Sequence, residues 1–152
     1  MMAISTPAEL QKLVGTHLGH SEWHTIEQRQ LDEFAALTGD NNWIHIDPER
    51  AATELPGGKT IAHGFFLLSL VPMLQRQIFK VEKRGKSLNY GSERIRFTGQ
   101  VQVGTRIRLS QSLLAAERTT NATRFITKSV MEIEAAERPA FIAELITLML
   151  DE

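Results

Sequence analysis

The spacing of apolar residues divides the chain into a first half of helices and a second half of strands. Apolar positions recur at helical spacing after Thr6, after a capping-box pattern over residues 25–28, and after Asp47-Pro48, so each point is a predicted helix start. Beyond residue 87 the period changes to two, which is typical of strands with one buried face. The predicted long strands lie around Leu88–Phe97, Ile107–Leu113, Phe125–Met131 and Phe141–Leu150.

Residues 64–79 form the most apolar segment of the chain, GFFLLSLVPMLQRQIF. Its first part is apolar nearly all round, which predicts a helix enclosed by other structure. Pro72 predicts a kink in that helix. The uninterrupted apolar stretch is about half of the roughly 20 residues that a membrane span needs, so we expect a buried element and no membrane insertion.

Helices followed by a run of strands indicate the α+β class. One long apolar helix facing an antiparallel sheet would bury both elements, and no internal repeat or linker interrupts the pattern, so residues 1–152 are expected to form one domain. Four long strands with an irregularity near Gly91 leave a weak sheet edge. Such an edge predicts pairing with a second copy of the chain.

Composition narrows the function classes. The chain has no cysteine, which excludes a disulfide framework, a thiolate metal site and a cysteine nucleophile. The formal net charge of -1 gives no overall attraction to nucleic acid or to an anionic membrane. The N-terminus lacks the pattern of a targeting signal, and we therefore expect a cytoplasmic protein. The charge is uneven, since residues 76–108 hold nine Lys or Arg and two Asp or Glu. On composition alone this segment is a solvated face.

Asp40 and His45 are the first candidates for chemistry. Their spacing would place them on different faces of a helix, but a loop that closes after Gly39 lets both point inward. A carboxylate and an imidazole can together hold and deprotonate one water molecule. A structural interpretation is equally open, with Asp40 capping the next turn and His45 as a hydrogen-bonded buried histidine. Asp47 is predicted to cap the short third helix.

The second candidate segment is TIAHGF, residues 60–65, at the start of the apolar helix. The first N–H groups of a helix have no internal partner and can hold an oxygen that gains negative charge. Gly64 would let a substrate approach this backbone closely. His63 fits either a contact with the substrate or a role as helix cap.

The remaining histidines, His17, His20 and His24, lie in a polar stretch without an acid at catalytic spacing. We expect them to be solvated or locally hydrogen-bonded. A metal site on His20 and His24 would need a helix there, which Gly19 and the following capping box oppose. No metal site is therefore predicted.

Taken together, FAALTGDNNWIHID and GGKTIAHGFFLLSLVP resemble the MaoC-like dehydratases, or (R)-specific enoyl-CoA hydratases. SLNYGSERIRFTGQVQVG is similar to the NodN-like single-domain branch, and the similarity runs from about Ser21 to the C-terminus. The resemblance implies the hot-dog fold, an antiparallel sheet wrapped around a long central helix. It also implies a homodimer with the active site near the subunit interface.

The activity that the resemblance implies is reversible syn addition of water to a trans-2-enoyl-CoA, giving an (R)-3-hydroxyacyl-CoA. Asp40 and His45 match the catalytic pair of the family, Asn42 matches an asparagine that binds or orients, and Gly64 matches the glycine whose N–H receives the thioester oxygen. Trp43 stands where proline is common in the wider family. No metal or redox cofactor is implied, since coenzyme A is part of the substrate.

Further substrate contacts are predicted around this centre. His63, Phe65 and Phe66 are candidates beside the thioester, although the phenylalanines fit a core role as well. The phosphates of coenzyme A give the basic segment a candidate ligand. Its candidate residues are Lys80, Lys83, Arg84, Lys86, Arg94 and Arg96. Two alternatives stay open: another hot-dog thioester enzyme, such as an acyl-carrier-protein dehydratase or a thioesterase, and a non-catalytic acyl-CoA-binding module.

Overall fold

The computed structural model describes residues 1–152 and is built from eight strands, five α-helices and one 3₁₀ helix. The strands are β1 (Met2–Ile4), β2 (His17–His20), β3 (His24–Thr25), β4 (Phe79–Val81), β5 (Ser87–Phe97), β6 (Arg106–Arg118), β7 (Ala122–Ile133) and β8 (Phe141–Leu150). The helices are the 3₁₀ helix (Pro7–Leu13), α1 (Gln28–Thr38), α2 (Trp43–Ile46), α3 (Pro48–Glu54), α4 (Gly64–Ser69) and α5 (Val71–Ile78).

The main sheet is antiparallel, with strand order β2-β6-β7-β8-β5, and β3 also pairs with β6. A separate parallel pair joins β1 to β4. The alternating apolar residues of the long strands point to one face, where Leu109, Leu113, Phe125, Met131 and Phe141 are fully buried. The helices cover this face, so the α+β class and the hot-dog arrangement are confirmed.

The central helix is divided at Leu70 into α4 and α5. The predicted kink is a break, because Pro72 has no N–H and is tolerated only in the first turn of a helix, and here it is the second residue of α5. The inner side of both helices is core, with Leu67 and Leu74 buried. The expectation of complete enclosure is wrong for a single chain, since the side chain of Phe65 is 70% exposed.

The N-terminal helices differ from the prediction in their starts. The segment after Thr6 is a 3₁₀ helix, and α1 begins at Gln28 rather than at Thr25. Thr25 pairs with Arg106 in β3, so the capping box shifts to Glu27 and Gln30, where the Glu27 N–H donates to Gln30 Oε1 at 2.9 Å. The predicted cap of α3 is confirmed by the bond from the Arg50 N–H to Asp47 Oδ1 at 2.9 Å.

Strand β5 forms one edge of the sheet and is exposed along nearly its whole length. Its register shifts between Asn89 and Gly91 and again between Ser92 and Arg94, which confirms the irregularity expected near Gly91. Each shift exchanges the faces to which later side chains point. No helix of the chain has the length and apolar character needed to cross a membrane.

Candidate active site

The loop between α1 and α2 positions the carboxylate of Asp40. Helix α1 ends at Gly39, which adopts a left-handed conformation with φ of 80° and donates its N–H to Ala35 O at 2.8 Å. Asn42 then caps α2, since its Oδ1 accepts from the Ile44 N–H at 3.4 Å. The chain therefore turns sharply at Asp40 and re-enters a helix at Trp43, three residues later, which brings His45 back toward Asp40.

His45 is held as a neutral imidazole with one free nitrogen. The side chain is 8% exposed, and Nδ1 donates a hydrogen bond to the carbonyl oxygen of Ile61 at 2.6 Å. Burial lowers the pKa of His45 below its ordinary value, and the neighbouring His63 lowers this pKa further, whereas the bond to Ile61 and the charge of Asp40 oppose the shift. Near neutral pH, Nε2 is consequently a lone-pair acceptor.

His63 joins the Asp40 loop to His45. Its ring stacks on that of His45 with centroids 3.8 Å apart, and its Nε2 donates to the backbone carbonyl of Asp40 at 3.1 Å. The side chain is only 2% exposed, and Nδ1 is buried without a hydrogen-bond partner. His63 precedes α4 without capping it through its side chain. Its observed contacts thus join the Asp40 loop to the His45 ring, and a direct contact with substrate stays a prediction.

Asp40, His45 and His63 together offer three ligand atoms that lie within 4.8 Å of one another. The two imidazole planes are only 24° apart, so their in-plane lone pairs run side by side instead of converging on one point. A tetrahedral metal site needs converging lone pairs. This arrangement is better suited to sharing protons with one small molecule between Asp40 and His45.

Gly64 brings a backbone N–H to the cavity that His45 lines. This cavity has a volume of about 310 Å³, and its wall also contains Leu67 and Phe97. As the first residue of α4, Gly64 has no intrahelical acceptor for its N–H. A Cβ atom at this position would lie 3.0 Å from the ring of Phe97, so glycine is required for the close approach of α4 to β5.

A larger cavity of about 890 Å³ lies between the helices α4 and α5 and the strands β5 and β8. Phe65 lines it, and Phe97 lines the smaller cavity. The two rings make an edge-to-face contact with centroids 5.9 Å apart, so this pair joins the walls of the two cavities. Phe66, by contrast, is buried in the core.

The basic segment is distributed over several surfaces. Lys80 and Arg84 line the large cavity, whereas Lys83 and Lys86 do not. Across β8, Arg94 pairs with Glu144 and Arg96 with Ile142, which places both arginines on the sheet face opposite to the helices. The sequence analysis missed Arg76, which also lines the cavity. Arg76 lies in the last turn of α5, and its place at the start of the basic segment, four residues before Lys80, is the signal that could have identified it.

Comparisons with known proteins agree with this geometry. Residues 9–136 match the MaoC like domain family. The 3-hydroxyacyl-thioester dehydratase Z of Mycobacterium tuberculosis is 43% identical over 147 residues, which cover 96% of this chain and 97% of that protein. Nodulation protein N of Rhizobium leguminosarum bv. viciae is 39% identical over 93% of this chain and 89% of its own length. The R-hydratase PhaJ1 from Pseudomonas aeruginosa superimposes with a TM-score of 0.72 at 25% identity, covering 97% of this chain and 86% of the hydratase chain.

Proposed function

The chain belongs to the MaoC-like dehydratase family, and on that premise we propose that it is an (R)-specific enoyl-CoA hydratase. The reaction is the reversible addition of water to a trans-2-enoyl-CoA, giving an (R)-3-hydroxyacyl-CoA. One observation supports the proposal above the others. His45 and Gly64 bring an imidazole and a backbone N–H to the wall of one small cavity, and a carboxylate oxygen of Asp40 lies within 4.8 Å of a ring nitrogen of His45.

Each group has a part in the chemistry. The β-carbon of an enoyl thioester is electrophilic because the carbonyl group withdraws electrons from it. A water molecule donates its two hydrogens to the Asp40 carboxylate and His45 Nε2, so its oxygen lone pair is directed at the β-carbon. As the C–O bond forms, the π electrons move to the thioester oxygen, and the Gly64 N–H stabilises the resulting negative charge.

The second half of the reaction returns a proton. One member of the pair has accepted a proton from water, and a proton passes from the pair to the α-carbon on the same face, which gives syn addition. Either member of the pair can carry the proton between the two steps, because both accept a hydrogen bond from the same water molecule. Hydration involves no net oxidation or reduction, and we propose that it proceeds here without a metal or a redox cofactor.

The carrier is proposed to be coenzyme A, with phosphates at the rim of the large cavity. Arg76, Lys80 and Arg84 supply three positive charges there, and guanidinium and ammonium groups both bind phosphate. Lys83 and Lys86 flank this rim in the chain and contribute longer-range attraction.

A homodimer is proposed to complete the site. The edge strand β5 exposes Leu88 and Tyr90 to solvent and leaves its outer backbone groups unpaired. An edge of this kind is satisfied by antiparallel pairing with a second copy. Because Asn89, Tyr90 and Ser92 line the large cavity, such pairing would place the cavity at the subunit interface. Sedimentation analysis of wild-type protein tests the stoichiometry, and a monomer at micromolar concentration would contradict it.

A second candidate function is action on another thioester. The name of the 43% identical relative specifies a 3-hydroxyacyl thioester rather than a particular carrier, which favours including acyl-carrier-protein substrates. A thioesterase would use the same pair to direct water at the carbonyl carbon. Parallel assays for hydration and for free thiol separate the two reactions, while binding of acyl-CoA without either reaction would favour a non-catalytic module.

The decisive experiment removes each member of the pair. Asp40→Asn and His45→Gln are expected to abolish hydration of crotonyl-CoA, measured as loss of the enoyl-thioester absorbance, while circular dichroism remains that of the wild type. His17→Gln is the matched control, because His17 is exposed on β2 and remote in sequence from the site. Near-wild-type turnover in either of the first two variants would refute the assignment.

A further inference from the structure

A cluster of polar side chains lies between α5 and the centre of the sheet, where the core is otherwise apolar. Gln111 on β6 is 0% exposed, and its Nε2 lies 2.9 Å from Ser129 Oγ and 3.4 Å from Thr127 Oγ1 on β7. The same Nε2 donates to Oε1 of Gln75, on α5, at 3.0 Å. The cluster therefore reaches from the middle of the sheet to the central helix.

Stability alone does not account for this cluster. Burying an amide or hydroxyl group is unfavourable unless all its hydrogen bonds are made. Gln111 Oε1 is fully buried and accepts no hydrogen bond, so the cluster is incompletely satisfied. Apolar residues of similar size would fill the same space without that cost. The distinctive effect of the polar cluster is on Gln75, because the buried Gln111 Nε2 donates to Gln75 Oε1 and so fixes the orientation of its side-chain amide.

Gln75 carries the effect of the cluster into the large cavity. It lines that cavity together with Ser69 and Thr147. Because Oε1 of Gln75 is occupied by Gln111, the free group of its amide is Nε2, which makes no hydrogen bond within the chain. The cavity wall consequently holds a preoriented hydrogen-bond donor at a position where a simple alkyl chain needs none.

We propose that Gln75 Nε2 donates a hydrogen bond to a neutral oxygen of the bound thioester, and that Gln111, Thr127 and Ser129 are positioning residues for this donor. This proposal rests on the proposed hydration of thioesters and adds a determinant of substrate specificity. The oxygen belongs either to a substituent on the acyl chain or to an amide carbonyl of the pantetheine arm. Both sources present the same chemistry, a neutral acceptor in a partly apolar cavity.

The experiment compares two substrate pairs. The acyl pair consists of enoyl-CoA substrates of equal length, one with a plain alkyl chain and one with an ether oxygen in place of a methylene group. The carrier pair consists of crotonyl-pantetheine and the crotonyl thioester of a plain alkanethiol of matched length, which lacks both amides. Wild-type protein is expected to prefer the oxygen-bearing member of one pair, and kcat/KM is measured for all four substrates.

Gln75→Leu is expected to lower the ratio of kcat/KM values within one substrate pair by about fivefold, which is the usual net contribution of one hydrogen bond. Only the pair that carries the contacted oxygen should show this loss. Gln75→Glu keeps the shape of the side chain but replaces the donor with a carboxylate, and it should lose the preference as well. Gln77→Leu on the same helix is the matched control, since the Gln77 side chain bonds the backbone of Glu22 outside the cavity.

Gln111→Leu tests the positioning role. It should weaken the same preference, and the double variant with Gln75→Leu should lose no more preference than Gln75→Leu alone. If Gln111→Leu does not fold, the Gln75 series decides. Unchanged ratios for both substrate pairs in folded Gln75→Leu would overturn the inference. Failure of wild-type protein to hydrate any of the four substrates would instead overturn the proposed function.

Discussion

Replacing Gly64 with alanine tests the proposed oxyanion contact most directly. The added Cβ atom would lie 3.0 Å from Cδ1 and Cε1 of Phe97 and 3.2 Å from its Cγ. Carbon atoms in ordinary contact are about 3.5 to 4.0 Å apart, so the ring and the helix start must separate by roughly 0.5 Å. The ring of Phe97 packs edge-on against Phe65 at 5.9 Å and the buried Phe141 at 6.2 Å, and Phe97 is 46% exposed, so the strain is divided between a shift of this ring and a shift of α4.

The expected effect on stability is small and the expected effect on catalysis is large. Overpacking costs about 1–3 kcal/mol, and the higher helix propensity of alanine offsets up to about 1 kcal/mol, so the protein should remain folded. The backbone N–H survives, but it moves with α4. A displacement of about 1 Å costs about 10²-fold in rate, and complete loss of one oxyanion donor costs about 10²- to 10³-fold. We therefore expect kcat to fall by about 10- to 100-fold.

Steady-state hydration of crotonyl-CoA provides the assay. An interaction made only in the transition state lowers kcat and kcat/KM equally, so KM should change little. Phe97→Leu in the Gly64→Ala background supplies the control, since the smaller side chain relieves the contact and should restore part of kcat. A single Gly64→Ala variant with kcat within twofold of wild type would refute the role of this N–H. Failure of Phe97→Leu to restore any activity would refute the steric explanation.

Three further predictions concern pH, charge and chain length. Since burial lowers the pKa of His45, kcat/KM should stay constant as pH falls to about 6.5 and decline only below that pH, as neutral His45 is protonated. His63→Phe removes a group that lowers this pKa, so it should move the decline to higher pH. A shift of the measured pH profile to lower pH in this variant would contradict the assignment. Lys80→Glu should raise KM for crotonyl-CoA, and the increase should be smaller at high salt. Arg94→Glu, on the opposite sheet face, should leave KM unchanged, and equal effects of the two variants on KM would contradict the proposed carrier site. Phe65→Ala should raise kcat/KM for longer enoyl-CoA substrates relative to crotonyl-CoA, and an unchanged ratio would show that the aromatic pair does not limit access.

Sequence patterns predicted the secondary structure correctly where each helix or strand was determined by its own residues. The alternation of apolar residues identified all four long strands, and the Asp47-Pro48 pair identified the start of α3. The start of α1 was missed because two capping patterns compete there. Thr25 lies opposite Arg106 in the β3–β6 pairing, and that contact with a distant strand removes it from the helix. Pairing of this kind overrides capping propensity and is invisible in a local window.

In the candidate site, too, some residues could be identified from local sequence and others only from tertiary contacts. The loop expected after Gly39 allowed Asp40 and His45 to be paired as candidates, but their spacing fitted a structural role equally well, and the pairing was favoured by the family resemblance. The contribution of His63 needed the tertiary structure, since its ring reaches both the Asp40 carbonyl and the His45 ring from a segment 18 or more residues away. The alternation places Gln111 on the same strand face as Leu109 and Leu113, but its contact with Gln75 on α5 is tertiary and has no signal in the sequence.

The basic segment makes the reason for the remaining errors clear. Its charges are consecutive in the chain, but the period of the backbone changes from helix to strand within it, so neighbouring residues point in different directions. Lys80 and Arg84 line the large cavity, whereas Arg94 and Arg96 lie opposite Glu144 and Ile142 of β8, on the other face of the sheet. Strand β5 has two register shifts, and each one inverts the alternation, so the face of its charged residues cannot be counted from the sequence alone. A run of charge therefore predicts a ligand only once the fold is known, and here two of the six candidate residues, Lys80 and Arg84, line the cavity.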